Sequence, residues 1–342
     1  MKLLVTLALS LISTLATATS QSSLYVFGDS ISDTGRLSAL TLHAVPPPPY
    51  WQGRFSSGPV WAEYLALLGN LQLRNYAVGA AVTSTSELKL FGFLPLNIPS
   101  THDQITSSRA SPSASDIAVL EIGGNDIMTA LPDVVKGRTS TAQFAETLAN
   151  TVVAQAKMLA ALGFRTILVA NAPPMYLVPL MKMQRRAATA GAISTAYNTK
   201  LAAKILAWQQ PAGVHVGLLD LNQFVQTAMS PGVAGAMGLR DTENACVGGN
   251  LLGLFTDADH VEALVRFLVD VRGAVLCSTP AAQFFWDPIH PGERVHRLFG
   301  YYASNVLVAL AANQSYAPSQ DNLLSLVSQH NLASIVAKPA AV

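Results

Sequence analysis

The chain has 342 residues, half of them hydrophobic and only 12% charged, with a formal net charge of +1. That composition excludes a disordered protein, and the length permits either one domain or two. No cluster of Lys and Arg stands out, which argues against nucleic acid or an acidic membrane surface as the main partner.

The N-terminus reads as a targeting segment. Lys2 supplies the positive start, Leu3 to Leu15 the apolar stretch, and Ala16-Thr17-Ala18 a small-residue cleavage site. The competing reading is a first β-strand or an uncleaved anchor, although the run is short for a membrane span. Residues 1–20 are therefore expected to be a signal peptide, the mature chain to start near Thr19 to Gln21, and the protein to be secreted. No other apolar run has the length of a membrane helix. In an oxidising compartment Cys246 and Cys277 are most simply partners in one disulfide. A metal site there is disfavoured, because no Cys or His accompanies them at ligand spacing. Asn313-Gln314-Ser315 is the one N-glycosylation sequon.

Leu24 to Phe27 is an apolar run with the character of a buried strand, and Gly28 and Asp29 break it. A helix is expected to begin at Ser30 and fade near His43. Ser30 would then sit at a strand C-terminus and a helix N-terminus, where ligands bind in open α/β sheets and negative charge is favoured. Alone, Asp29 and Ser30 are equally good as helix caps. Pro46 to Pro49 form a stiff run leading into Tyr50 and Trp51, either a spacer or a wall near the site. Pro59 to Leu68 reads as a helix, and Leu71 to Tyr76 as a second strand running into Asn75-Tyr76-Ala77-Val78-Gly79-Ala80. The segment Phe91 to Leu96 reads as an apolar loop that either plugs the core or touches an acyl chain.

Ile117 to Ile122 is a third strand, ending in Gly123-Gly124-Asn125-Asp126. Thr141 to Leu162 is an amphipathic helix, Thr166 to Ala170 a strand, Gln184 to Trp208 a helix, and Val214 to Leu219 a fifth strand. Gln226 to Cys277 reads as irregular, and Asp257-Ala258-Asp259-His260 within it as solvated surface rather than a metal site. A helix is expected from Gly292 to about Ala312. The remainder either packs as a last helix, Asn322 to Ile335, or trails freely. Strands alternating with long helices imply βαβ units and a parallel sheet covered on both faces. No linker divides residues 21–313, and 314–342 read as a C-terminal tail.

Four blocks carry the chemistry: Gly28-Asp29-Ser30, Asn75 to Ala80, Gly123-Gly124-Asn125-Asp126 and Asp287-Pro288-Ile289-His290. In order and residue type they resemble the GDSL lipases/esterases of the SGNH hydrolase superfamily, from Tyr25 to about Tyr302. The stretches Phe27 to Gly35, Gln52 to Trp61 and Phe285 to Pro291 look most like its secreted lipase and phospholipase/haemolysin-like branch. The resemblance implies a three-layer α/β/α sandwich around a five-stranded, mostly parallel, flavodoxin-like sheet. It implies an ester hydrolase with Ser30 as nucleophile, His290 as base and Asp287 as its partner. It also implies an oxyanion hole made of the Ser30 amide, the Asn125 side chain and an amide after Asn75. The family's donor glycine falls at Ala80, preceded by Gly79, so either residue is a candidate donor. Arg36 stands where relatives often carry Asn.

The physical reading agrees with that mechanism. A serine hydroxyl needs an adjacent base, and a neutral imidazole held by a carboxylate is such a base. Gly-x-Ser-x-Gly is absent, which disfavours the α/β-hydrolase elbow. The expectation is a secreted, monomeric esterase of lipid or other acyl esters that uses no cofactor or metal. The alternatives are an acetylesterase of plant-wall polysaccharides, acyl transfer to another acceptor, and a non-catalytic binding protein.

Overall fold

The first strand, β1 (Ser23–Gly28), is buried along all six residues, as an apolar run flanked by parallel neighbours should be. This computed structural model describes residues 21–84, 86–90, 94–248 and 275–334. Residues 1–20, Phe91 to Phe93, Asp257 to His260 and Ile335 lie outside the described residues. The other sheet strands are β2 (Gln72–Asn75), β3 (Ile117–Glu121), β4 (Thr166–Ala170) and β5 (His215–Leu219). They pair in the order β2-β1-β3-β4-β5, every pair parallel. The chain leaves β1 outward to β2 and then returns to β3 on the other side of β1. The topological switch point, where open α/β sheets bind ligands, therefore lies between β1 and β3.

Alternate residues of each strand serve opposite faces. Tyr25, Phe27, Leu120 and Val169 pack against helices α4 (Gly124–Val135), α5 (Thr141–Ala161) and α6 (Ala187–Ala207). Leu24, Val26, Val119 and Leu168 pack against α2 (Trp61–Leu68), α7 (Leu221–Ala228) and α8 (Glu293–Ala311). The result is the expected three-layer α/β/α sandwich. The last helix, α9 (Gln320–Gln329), buries Leu323, Leu326 and Val327 in the second of these cores. Arg297 fastens the chain beyond it by donating to the Leu332 and Ser334 carbonyls.

Three expectations need correction. No helix begins at Ser30: residues 30–33 form a turn, and α1 spans only Arg36–Leu40. Gly35, at φ 111°, interrupts the backbone, and the Asp33 carboxylate takes the N–H groups of Gly35, Arg36 and Leu37, so the helix starts late. Second, Leu94–Ile98 is not loop but one strand of an antiparallel hairpin with Ser86–Leu90. Its Lys89↔Pro95 register shows how a proline is tolerated in a two-stranded ribbon. Third, the stretch after Gln226 holds a short helix (Pro231–Ala236) and a strand (Asp241–Ala245) that pairs with Gln283–Phe285.

Candidate active site

Ser30 follows β1 by two residues, at the C-terminal edge of the sheet beside the switch point. Gly28 sets the exit, since a Cβ there would lie 2.5 Å from the Glu121 carbonyl oxygen of the neighbouring strand. Asp29 then anchors the turn, its carbonyl accepting from the N–H groups of Ser32 and Asp33. Ser30 Oγ lies 2.7 Å from His290 Nε2, and His290 Nδ1 lies 2.6 Å from Asp287 Oδ2. Both His290 and Asp287 are fully buried, while Ser30 retains 5% exposure.

The loop carrying His290 is closed upon itself. Trp286 N–H donates to the His290 carbonyl at 2.7 Å, and Gly292 N–H to that of Phe284 at 2.8 Å. Asp287 Oδ1 accepts from the Ile289 and His290 amides. Asp287 Oδ2 takes the Tyr50 hydroxyl at 2.7 Å in addition to His290. Burial alone would raise the Asp287 carboxyl. The charge of His290 and the hydrogen bonds from His290, Tyr50 and the loop outweigh it and hold the group below its ordinary range. Asp287 is thus kept ionised, and it fixes the ring so that Nε2 faces Ser30.

The two blocks that follow β2 and β3 carry further donors. The Asn125 side chain, in the first turn of α4, gives one N–H to the Ala81 carbonyl at 2.8 Å and has a second to offer. Among the described residues, the Ser30 and Ala80 amides donate to no acceptor. Gly79 does not qualify as a donor, because its N–H is committed to Asp33 Oδ2 at 2.7 Å. Of the two candidate amides only that of Ala80 is free, and Ala80 holds the left-handed conformation at φ 66°. The surrounding loop carries that strain. Asn75 Oδ1 accepts from Ala77 N–H, and Thr83 N–H and Oγ both bond the Asp126 carboxylate. Gln155 donates to the Thr83 carbonyl.

All four sequence blocks meet here. Of the Pro/aromatic stretch, Tyr50 reaches Asp287 and the Phe55 ring lies 5.0 Å from that of His290. Trp51 instead stacks against the Arg54 guanidinium. Arg36 lies exposed over the Tyr76 ring, near the Asn75 carbonyl. Sequence reading missed the role of Tyr50, which sits 237 positions from its partner, and that of Gln104. The amide of Gln104, in α3 (Thr101–Ser107), takes the Gly28 N–H and donates to the Gly28 carbonyl, steadying the strand end before Ser30. Only a proline run and a lone Gln marked these positions.

Cys246 and Cys277 are disulfide-bonded. Their segment lies against the base of the His290 loop: Cys246 N–H donates to the Phe285 carbonyl and Val247 N–H to that of Trp286.

Two curated relatives match this chain along most of their own length. A phosphatidylcholine-sterol acyltransferase of Aeromonas hydrophila is 27% identical over 80% of this chain and 87% of its own. A GDSL esterase/lipase of Arabidopsis thaliana is 27% identical over 79% of this chain and 83% of its own. A solved lipolytic G-D-S-L protein from Veillonella parvula covers 84% of this chain and 99% of its own, with a TM-score of 0.44 at 14% identity. The model of the GDSL-like lipase/acylhydrolase family matches residues 24–302, and the chain belongs to that family of ester-bond hydrolases.

Proposed function

We propose that this protein is a secreted carboxylic-ester hydrolase that works through an acyl-enzyme on lipid or other acyl esters. The observation that carries the reading is the unbroken series Ser30–His290–Asp287, bonded at 2.7 and 2.6 Å beside three unspent donors. His290 Nε2 takes the Ser30 proton as Oγ attacks the ester carbonyl. The Ser30 amide, the Ala80 amide and the free N–H of Asn125 receive the oxyanion. His290⁺, stabilised by Asp287, returns the proton to the departing alkoxide, leaving an ester on Ser30. Water then enters, gives its proton to His290 and attacks the acyl carbonyl, and the carboxylic acid leaves as Ser30 recovers its proton.

Export is supported by the Lys2 to Ala18 segment and by a disulfide that suits an oxidising compartment. N-terminal sequencing of material from the culture medium tests it: a start near residues 19–21 is expected, and retention of residues 1–20 contradicts it. The substrate class is tested by p-nitrophenyl esters from acetate to palmitate, run beside acetylated xylan. Turnover that favours longer acyl chains is expected. Release of acetate from xylan with no turnover of longer esters would replace this reading by a carbohydrate acetylesterase.

A further inference from the structure

Ser32, shortly after Ser30, is fully buried and ties the nucleophile turn to three other elements. Its N–H donates to the Asp29 carbonyl at 3.1 Å, within the turn. Its carbonyl accepts from the Asn75 side chain at 2.6 Å, at the end of β2. Its Oγ accepts from the Trp61 indole N–H at 3.1 Å, at the start of α2, and donates to Glu121 Oε2 at 2.8 Å, at the end of β3. The indole can only donate, so the Ser32 proton is left for Glu121. The Asp29 N–H favours the charged form of the same carboxylate, and Glu121 thus addresses the turn on both sides of Ser30. A Cβ on Gly28 would stand 3.2 Å from Glu121 Oε2 and 3.4 Å from Ser32 Oγ, so the bare glycine leaves room for their bond. Neither Glu121 nor Ser32 enters the chemistry proposed above. Both are buried, where polar groups are costly unless bonded.

We infer that Ser32 and Glu121 are positioning residues, a polar brace that fixes Ser30 Oγ relative to the proposed oxyanion donors Asn125 and Ala80. The inference rests on the ester-hydrolase reading above and adds to it two residues outside the triad and the oxyanion hole. The connections of the brace carry it. Glu121 leads across Gly123 and Gly124 to Asn125. Asn75, which holds the Ser32 carbonyl, also takes the Ala77 N–H on its Oδ1 and so secures the loop that leads to Ala80. One serine therefore joins the exit of the nucleophile's strand to the exits of both donor strands. Without that joint the triad residues all remain, but the turn is free to shift against the donors. Such a displacement lowers kcat with little effect on substrate affinity. Glu121 acts on Ser32 through an accepting oxygen, which a glutamine side chain also has.

The test compares wild type with Ser32→Ala, Glu121→Leu and Glu121→Gln on the p-nitrophenyl ester that wild type turns over fastest. Measurements are made below each melting transition, as read by circular dichroism. Ser32→Ala and Glu121→Leu should lower kcat by roughly 10- to 10²-fold at nearly constant KM. Glu121→Gln should recover most of that loss. Where Glu121→Leu does not fold, Ser32→Ala decides. Variants that melt earlier but keep the wild-type kcat would overturn the inference. A glutamine variant as slow as Ser32→Ala, or a loss that falls on KM, would do the same. If wild type turns over no ester, the hydrolase reading itself has failed. Hydrogen–deuterium exchange of the peptide spanning residues 24–33 then decides on the brace alone. Faster exchange at residues 29–33 in Ser32→Ala, with Glu121→Gln near wild type, supports it. Exchange in Ser32→Ala equal to wild type, or equally fast exchange in Glu121→Gln, overturns it.

Discussion

The Asp287 carboxylate receives four donors, and three of them come from its own loop. The fourth, the Tyr50 hydroxyl, comes from the far end of the chain and shares Oδ2 with His290. Tyr50→Phe removes that donor while keeping the ring that packs edge-on against Trp286. A hydrogen bond to a charged group of about 1.5 kcal/mol corresponds to roughly tenfold in rate. The expected result is a kcat lowered by about that factor at nearly constant KM; an unchanged kcat would show that the loop alone positions Asp287. Asn125→Ala removes a proposed oxyanion donor, and the loss of such a donor lowers kcat by roughly 10²–10³. A change confined to KM would place Asn125 outside the oxyanion hole. Ser30, His290 and Asp287, which the fold brings into one hydrogen-bonded series, are legible in sequence because each sits in a short block of distinctive residues. Tyr50 is not, since a tyrosine beside prolines looks the same whether it lines a wall or bonds a carboxylate.

The segment holding His290 and Asp287 is short and irregular, so its rigidity is borrowed from its neighbours. The parallel pairing of Asp241–Ala245 with Gln283–Phe285 and the Cys246–Cys277 bond brace it from one side. Closing a loop of 31 residues contributes roughly 3–4 kcal/mol in the chain-entropy model. The sharper consequence is local, because small displacements of a base relative to its nucleophile cost rate steeply. Cys246→Ser/Cys277→Ser is therefore expected to lower kcat at temperatures well below its own melting transition. A double variant that melts earlier but turns over normally would make the bridge purely structural. Strands and long helices at this scale were readable from their apolar periods. The helix expected at Ser30 was not, because the Asp33 carboxylate gathers the amides that would have opened it. The Ser86–Ile98 hairpin was hidden by Pro95, which argued for a loop.

Across the whole molecule, strand order places Ser30, after β1, and Asn125, after β3, on either side of the switch point. The same crossing buries acids together. Burial raises the Glu121 carboxyl to about 7 against the hydrogen bonds from Ser32 and Asp29 that lower it. Burial and the charge of Glu121 push Asp29 well up. Burial also raises Asp33 and Asp126. A carboxyl raised on folding contributes stability that is fully present below its unfolded pKa and lost as pH climbs through the folded value. For Glu121 that window runs from 4.5 to about 7, and the effect is on the order of 3 kcal/mol. The lowered Asp287 carboxyl has the opposite sign and acts only on the acid side of the ordinary carboxylate range. The melting temperature should therefore fall as pH rises through this window, and Glu121→Gln should flatten that fall. A variant with the wild-type slope would place the proton elsewhere. The order of the elements was legible in the alternation of strand and helix. The burial of Glu121 against Gly28 was not, because only the pairing of β1 with β3 creates it.

The most direct measurement is labelling with a fluorophosphonate, followed by peptide mass spectrometry of wild type and Ser30→Ala. Wild type should carry a single adduct, on Ser30, and lose ester turnover in proportion to labelling. The alanine variant, folded by circular dichroism, should take no label and turn over no ester. Label on another serine, or turnover surviving in Ser30→Ala, would contradict the account at its centre.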